Sequence, residues 1–384
     1  MKKASFSFGK LTLLYLYPKL APNNASNEVS FSGGAQKRMF HLAQYFRKNG
    51  ANAIVVSDDL GSSCIVKKLK SNGINHISVP FGSKNPLCVA KAVNKLFHIV
   101  KYYHVDLIHS HHRWTTVLSF LVSKVSKIPT IHNARNVFYD RRIFRRFAGQ
   151  NIIAVSNSVK DNLVTYFNIH SDRIKVIHNG TDISKSSAGE KKRVKEDLCL
   201  KQDDRIIAVI GRLSEQKGHK YLMKALPVVI TKFPNMKVLF VGDGELRNSL
   251  QNQVARMNIK GNVLFCGSID NVAPLIEITE FTVLPSLWEG FSVAIVESLL
   301  LGKPVIASNV GGTPEIIEGN LNGLLVEAKD VGGLANAIIY MLSHPGEARK
   351  MGEKGREIAV KKFSLKRMLE EYKKYYIHLL GRRK

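Results

Sequence analysis

Two α/β domains, each a doubly wound parallel sheet with helices on both faces, are what this sequence predicts, and three observations carry the prediction. The chain has 384 residues, more than a single hydrophobic core usually organises. Short apolar runs of strand length alternate with stretches of helical periodicity along almost all of it. Glycine-rich or polar corners follow the strands, and in open parallel sheets ligands sit beyond the carboxyl ends of the strands.

Residues 11–16 read as the first strand. Ser32, Gly33 and Gly34 then open a helix whose apolar positions, Ala35, Met39, Leu42, Ala43 and Phe46, recur at helical spacing until Gly50. Further strands are expected at 53–56, 74–79, 105–108, 130–131, 152–155 and 174–177, so that residues 1–182 form the first domain. Residues 183–203, rich in Ser, Lys and Glu, read as a linker with room for a short helix. The alternation restarts at 206–210 and continues through 238–241, 263–266, 281–284 and 305–307, which places a second domain at 204–363. Residues 364–384 predict a basic terminal helix.

Charge is unevenly placed. The whole chain carries 57 Lys and Arg against 30 Asp and Glu, a net +27. Residues 1–182 hold 26 of the basic residues and only 8 of the acidic ones. That half attracts polyanions, whether nucleic acid, an anionic membrane face or a phosphorylated acceptor, and charge alone does not choose among them. The cysteines Cys64, Cys88, Cys199 and Cys266 lack C-x-x-C spacing, which fits buried thiols in a reducing, cytoplasmic compartment. Lys2 and Lys3 precede an apolar run as in a signal peptide, but the run is short and ends at Pro18, so a first strand is the better reading. No stretch approaches the roughly 18 uninterrupted apolar residues of a membrane span.

The stretch 284–302, LPSLWEGFSVAIVESLLLG, runs from strand through acidic loop to helix. At such a corner the first N–H groups of the helix lack intrahelical partners and attract phosphate oxygens. Gly290 lets the backbone approach a ligand, Glu289 lies just outside the helix, and Glu297 lies about two turns in. A second signal is GRLSEQKG at 211–218, where Arg212 and Lys217 place two cations beside one phosphate site. The turn Gly242-Asp243-Gly244-Glu245 lacks the third glycine of a dinucleotide fingerprint, so no nicotinamide cofactor is expected. His109, His111 and His112 follow one strand and His132 ends another, without a Cys or carboxylate at zinc-ligand spacing, and no metal is expected. In FYDRRIFRRF, residues 138–147, a helix would gather Arg141, Arg142, Arg145 and Arg146 on one face. Such a helix suits either an anionic lipid surface or a core-packed element with a solvated basic side.

The Glu289-Gly290-Phe291 corner with Glu297 eight positions on, then Gly302-Lys303-Pro304-Val305-Ile306-Ala307 and Gly311-Gly312-Thr313-Pro314-Glu315, resembles the retaining nucleotide-sugar glycosyltransferases of the GT-B fold, in the group 1, family 4-like class. The resemblance implies two Rossmann-like domains facing a central cleft, with the terminal helix crossing back to the first. It implies that Glu289 contacts donor-sugar hydroxyls, Glu297 the ribose, and Arg212 and Lys217 the donor phosphates, with Gly290, Phe291 and Ser292 at the donor. Gly33 and Gly34 would contact the diphosphate or make room for the acceptor, and His132 would contact the sugar near its reacting carbon; apart from the resemblance, the crowded strand end offers His111, His112 and Arg113 as acceptor candidates, of which one histidine positions the acceptor and the others are structural. Gln36 stands where many relatives have Glu, so no acidic role is carried over there.

The activity so implied is transfer of a hexose or N-acetylhexosamine, with retention, from a nucleotide-diphosphate sugar to a lipid-linked or polysaccharide acceptor of a bacterial cell-surface glycan. No Asp-x-Asp motif occurs, and metal-independent action without a cofactor is expected, on the cytoplasmic face of the inner membrane. A sugar-nucleotide epimerase or phosphorylase of the same fold is the alternative within the class. A basic nucleic-acid-binding protein is the alternative outside it, though no recognisable reader module supports that.

Overall fold

The computed structural model describes residues 8–9, 11–20, 34–59, 63–82, 85–139 and 142–381, the side chains of Arg142 and Ile143 excepted. Gly33 and Arg141 lie outside the described residues. The chain forms two compact units, one made of Met1–Ile177 with Leu369–Lys384 and the other of His178–Met368.

In the first unit the order is β1 (Thr12–Leu16), α1 (Gly34–Lys48), β2 (Asn52–Ser57), α2 (Cys64–Ser71), β3 (Asn75–Ser78), α3 (Pro86–Tyr102), β4 (Leu107–Ser110), α4 (Arg113–Ser126), β5 (Thr130–Ala134), β6 (Asn151–Ala154), α5 (Asn157–Thr165) and β7 (Ile174–Val176). The seven strands form a parallel sheet ordered β3-β2-β1-β4-β5-β6-β7. All five residues of β1 are buried, as expected of a strand covered by helices on both faces. Leu14 and Leu16 share one core with Ile54, Val56, Leu96 and Leu118. Helix starts follow local chemistry: Asn85 caps α3 ahead of Pro86, and Ser156 caps α5 through a hydrogen bond from the Val159 N–H.

The second unit holds α6 (Ala188–Asp197), β8 (Arg205–Ile210), α7 (His219–Lys232), β9 (Met236–Val241), α8 (Arg247–Arg256), β10 (Val263–Gly267), α9 (Ala273–Ile278), β11 (Phe281–Leu284), α10 (Val293–Leu300), β12 (Val305–Ser308), β13 (Gly323–Val326), α11 (Val331–Ser343) and α12 (Pro345–Phe363). Its six-stranded sheet is ordered β10-β9-β8-β11-β12-β13, again parallel at every pair. Period-two alternation splits β8 between two cores, with Ile207 and Val209 on one face and Ile206, Ala208 and Ile210 on the other.

The segment 183–203 is not a bare linker. Ile183, Val194, Leu198 and Leu200 pack against the core of Ile206, Ala208 and Ile210, and α6 starts with a capping box between Ser187 and Glu190. Apolar residues spaced to cover a sheet face were hidden by a polar composition. The last helix, α13 (Leu365–Gly381), begins in the second unit and belongs to the first from Leu369 onward. There Tyr376 stacks on Phe46 with ring centroids 4.6 Å apart, and its hydroxyl lies 2.5 Å from His109 Nδ1.

Candidate active site

Each sheet has one topological switch point, between β1 and β4 in the first unit and between β8 and β11 in the second. The loops leaving β8 and β11 carry the two strongest sequence signals. Lys217 Nζ donates to Glu289 Oε1, with side-chain exposures of 19% and 8%. Ser286 Oγ donates to the same oxygen at 3.3 Å.

The backbone locks this pair in place. The Leu287 N–H donates to the Gln216 carbonyl at 2.7 Å, and Gln216 Nε2 to the Trp288 carbonyl at 2.9 Å. Two glycines permit the contact between loops. Gly218 has φ +64°, and a Cβ there would lie 1.9 Å from the Pro285 carbonyl oxygen. Gly311 has φ +53°, and its Cβ would lie 1.8 Å from the Glu289 carbonyl oxygen, to which the Gly312 N–H donates at 3.2 Å. Glu289 is therefore held by the loops after β8, β11 and β12 together.

Helix α10 starts three residues past Gly290, and the Ser292 side chain does not cap it. Its first N–H groups thus retain their capacity for an anion. Phe291 is buried against His178 and Phe363, each at 5.5 Å between ring centroids, so its ring is a packing element and only its backbone is left to a ligand. Glu297 is the fifth residue of α10, little more than one turn in rather than two, and accepts from Thr181 Oγ1 at 3.5 Å. Arg212 is separate from the Lys217 pair. Its guanidinium, 73% exposed, meets Glu245 at 3.1 Å, a surface contact worth about 0–1 kcal/mol and easily exchanged for another anion. Its carbonyl accepts from His219 Nε2 at 3.0 Å. Burial lowers the pKa of His219 to about 4, which keeps it a neutral donor that shapes the loop.

In the first unit His132 is buried at the end of β5, with Nδ1 2.7 Å from Thr116 Oγ1. Thr116 also reaches the His112 carbonyl at 3.0 Å. If its one hydroxyl proton goes there, His132 Nδ1 carries the proton and Nε2 keeps a lone pair. Burial first, then the charges of Arg113, His112 and Arg135, lowers the pKa of His132 to about 3. His109 and His111 are held well below the usual value, again by burial first. His112 is exposed and caps α4, its Nδ1 accepting from the Trp114 N–H at 3.2 Å. Arg113 lies over the rings of Phe138, Phe144 and Phe167, 4.5 to 5.4 Å from their centroids. Gly34, exposed, is the first residue of α1.

These histidines give a signed pH dependence. His109, His111, His132 and His219 each bind a proton near pH 6.5 when unfolded but resist it in the fold, so stability is lost as pH falls below about 6.5 and continues to fall toward pH 3 to 4. We expect the melting temperature to drop between pH 7 and pH 5, and His132→Gln to flatten that slope. A slope unchanged by the variant would contradict a neutral buried His132.

The basic helix expected at 138–147 does not form. Among the described residues of that stretch only Arg142–Arg146 is helical, as five residues of 3-10 helix. Phe144 turns inward onto His132, at 5.3 Å between rings, and under Arg113. Arg145 and Arg146 remain exposed, while Arg141 and the side chain of Arg142 lie outside the described residues. The pull of Arg113 and the aromatic cluster on Phe144 outweighs the local helical pattern. Among the described residues no group of three His, Cys, Asp or Glu is placed to hold a metal, and no helix is long and apolar enough to cross a membrane.

Sequence reasoning gave no role to Ser286, Gln216, His219, Thr116 and Arg135. Gly311 was read in the Gly311-Gly312-Thr313-Pro314-Glu315 motif, but not its contact with the Glu289 carbonyl.

Residues 32–185 match the family described as glycosyltransferase family 4, and residues 190–358 match glycosyl transferases group 1. An uncharacterized glycosyltransferase of Methanocaldococcus jannaschii is 31% identical over 287 residues, 72% of this chain and 76% of that protein. The UDP-Gal:alpha-D-GlcNAc-diphosphoundecaprenol alpha-1,3-galactosyltransferase of Escherichia coli is 27% identical over 309 residues, 76% of this chain and 80% of its own. A glycosyltransferase structure from Rickettsia africae superposes with a TM-score of 0.84 at 26% identity, covering 97% of this chain and 99% of that one. With parallel sheets of seven and six strands and this interlocked set of strand-end loops, the chain belongs to the GT-B glycosyltransferases of the group 1, family 4-like class.

Proposed function

We propose that this glycosyltransferase moves a hexose or N-acetylhexosamine from a UDP-sugar to a lipid-linked or polysaccharide acceptor of a cell-surface glycan, with retention and without a metal. The observation that carries the reading is the Lys217 and Glu289 pair, fixed by three strand-end loops at a switch point beside the uncapped start of α10. Lys217, Arg212 and the α10 N–H groups supply positive charge for a departing diphosphate, and charge placed where it develops in the transition state accelerates bond cleavage. Glu289 presents its carboxylate to sugar hydroxyls. Glu297, beside Thr181, is assigned the ribose. By the family resemblance His132 is assigned a sugar hydroxyl, and Gly34 the diphosphate or room for the acceptor.

In the step proposed, the acceptor oxygen forms a bond to the anomeric carbon on the face from which UDP leaves. The bond from that carbon to the phosphate oxygen breaks, its electron pair stays with the phosphate, and the phosphate oxygen takes the acceptor's proton. The choice of UDP and of a lipid-linked acceptor is supported by the activity of the Escherichia coli relative.

A panel of nucleotides and nucleotide sugars, screened by thermal shift in EDTA, tests the donor. UDP and one UDP-sugar should stabilise the protein, by about 2.7 kcal/mol at a hundredfold excess over Kd. Arg212→Ala should weaken that binding about tenfold, the scale of a hydrogen bond to a charged group. Absence of any nucleotide response would sink the reading, and epimerisation of the donor without an acceptor would replace it.

A further inference from the structure

Arg135 follows β5 directly, on the same edge of the first sheet as His132, and its surroundings are chemically incomplete. Its Nε and Nη1 are closed off from solvent with no hydrogen-bond acceptor among the described residues. Those two nitrogens carry three N–H bonds. The remaining nitrogen, Nη2, donates to Nδ1 of His111, a neutral base. The neighbours of Arg135 able to become anionic are the phenols of Tyr17 and Tyr372, and no carboxylate forms an ion pair with it among the described residues.

A guanidinium withdrawn from water without an anion is strongly unfavourable. Arg38 and Arg135 both press on His111, whose ring centroid lies 4.0 Å from that of His109. The hydrogen bond from Arg135 fixes the His111 tautomer. With Nδ1 accepting, the ring proton sits on Nε2, and Nε2 is itself buried without a partner. Nε2 of His109 is in the same position. The end of β4 and the end of β5 thus carry guanidinium N–H groups and an imidazole N–H that no group among the described residues receives. The chemistry that completes such a set is an oxyanion, because guanidinium forks match carboxylate and phosphate geometry.

We propose that Arg135 and His111 form an oxyanion site in the first unit that takes a phosphate or carboxylate group of the acceptor. The assignment of this anion to the acceptor rests on the glycosyltransferase reading above. The anion site itself rests only on Arg135 and His111.

The test is isothermal titration of the full chain with inorganic pyrophosphate and, separately, with malonate, each in the presence of saturating UDP so that the Lys217 and Glu289 loops are already occupied. Wild type should bind at least one of them, and Arg135→Gln should lose at least tenfold in affinity. Preference for pyrophosphate marks a phosphorylated acceptor, and preference for malonate a carboxylated one. Should Arg135→Gln not fold, His111→Gln removes the adjoining donor and is read in the same way. Equal responses in wild type and variant, including none in either, overturn the site. Failure of UDP to stabilise wild type would sink the nucleotide reading instead, whatever the two anions do.

Discussion

Lys217→Ala should lower the rate of donor turnover by roughly 10²- to 10³-fold, the loss seen when one preorganised charge or donor is removed from a developing anion. Turnover can be measured without knowing the acceptor, as slow hydrolysis of the UDP-sugar. The loss should fall more on kcat than on KM, since the diphosphate gains charge as the glycosidic bond breaks. The same substitution leaves the Glu289 carboxylate, 8% exposed, with Ser286 as its remaining side-chain partner. A fully buried pair broken on one side costs about 3–5 kcal/mol, and the 19% exposure of Lys217 puts the cost here at or below that range. Because activity and stability fall together, the double variant with Glu289→Ala is the needed control. It should recover stability, with no stranded charge, but not turnover. Near-normal hydrolysis in Lys217→Ala would remove the chemical basis of the proposed site.

Gly311→Ala should be the most damaging single methyl group in the second unit. The left-handed backbone of Gly311, at φ +53°, costs a side-chain-bearing residue about 1–3 kcal/mol by itself. The added Cβ would also overlap the Glu289 carbonyl oxygen at 1.8 Å, so the β11 loop or the β12 loop must move. Either movement withdraws Glu289 from Lys217. The expected result is a melting temperature lower by roughly 5 °C or more, at 2–4 °C per kcal/mol for a unit of this size, with UDP binding lost. Gly261→Ala is the matched control, since nothing lies within 4 Å of the added atom. A Gly311→Ala protein that melts and binds UDP like wild type would show that the loops are not interlocked as described.

What was legible in the sequence follows from which physics is local. Strands such as β1 and β8 are apolar runs bounded by corners, and their alternation alone is enough to predict two parallel sheets. The positions of Glu289 and Lys217 were readable because strand, loop and helix start are contiguous. Their direct pairing was not readable, since it depends on Gly218 and Gly311 letting distant loops touch. Local periodicity also misled. The arginines of 138–147 fit a helix until Phe144 is drawn beneath Arg113, at 4.5 Å from ring to guanidinium carbon. The short helix allowed for at 183–203 is α6, but its packing was not readable, since its few apolar residues matter only because a sheet face lies under them. Arg135 carried no local signal, because an unpaired guanidinium is recognised only by what fails to surround it.

The first unit is assembled from two pieces of chain, 1–177 and 369–384, while the second is a single continuous piece. A gene cut after Ile177 would encode seven strands but strip away the phenols that complete them. Asn133 would lose the Tyr372 hydroxyl at 2.7 Å, His109 that of Tyr376, and Phe46 the ring stacked on it. Excising the catalytic halves for separate study is therefore asymmetric work: one excerpt can be copied straight from the gene, and the other needs the tail spliced back on.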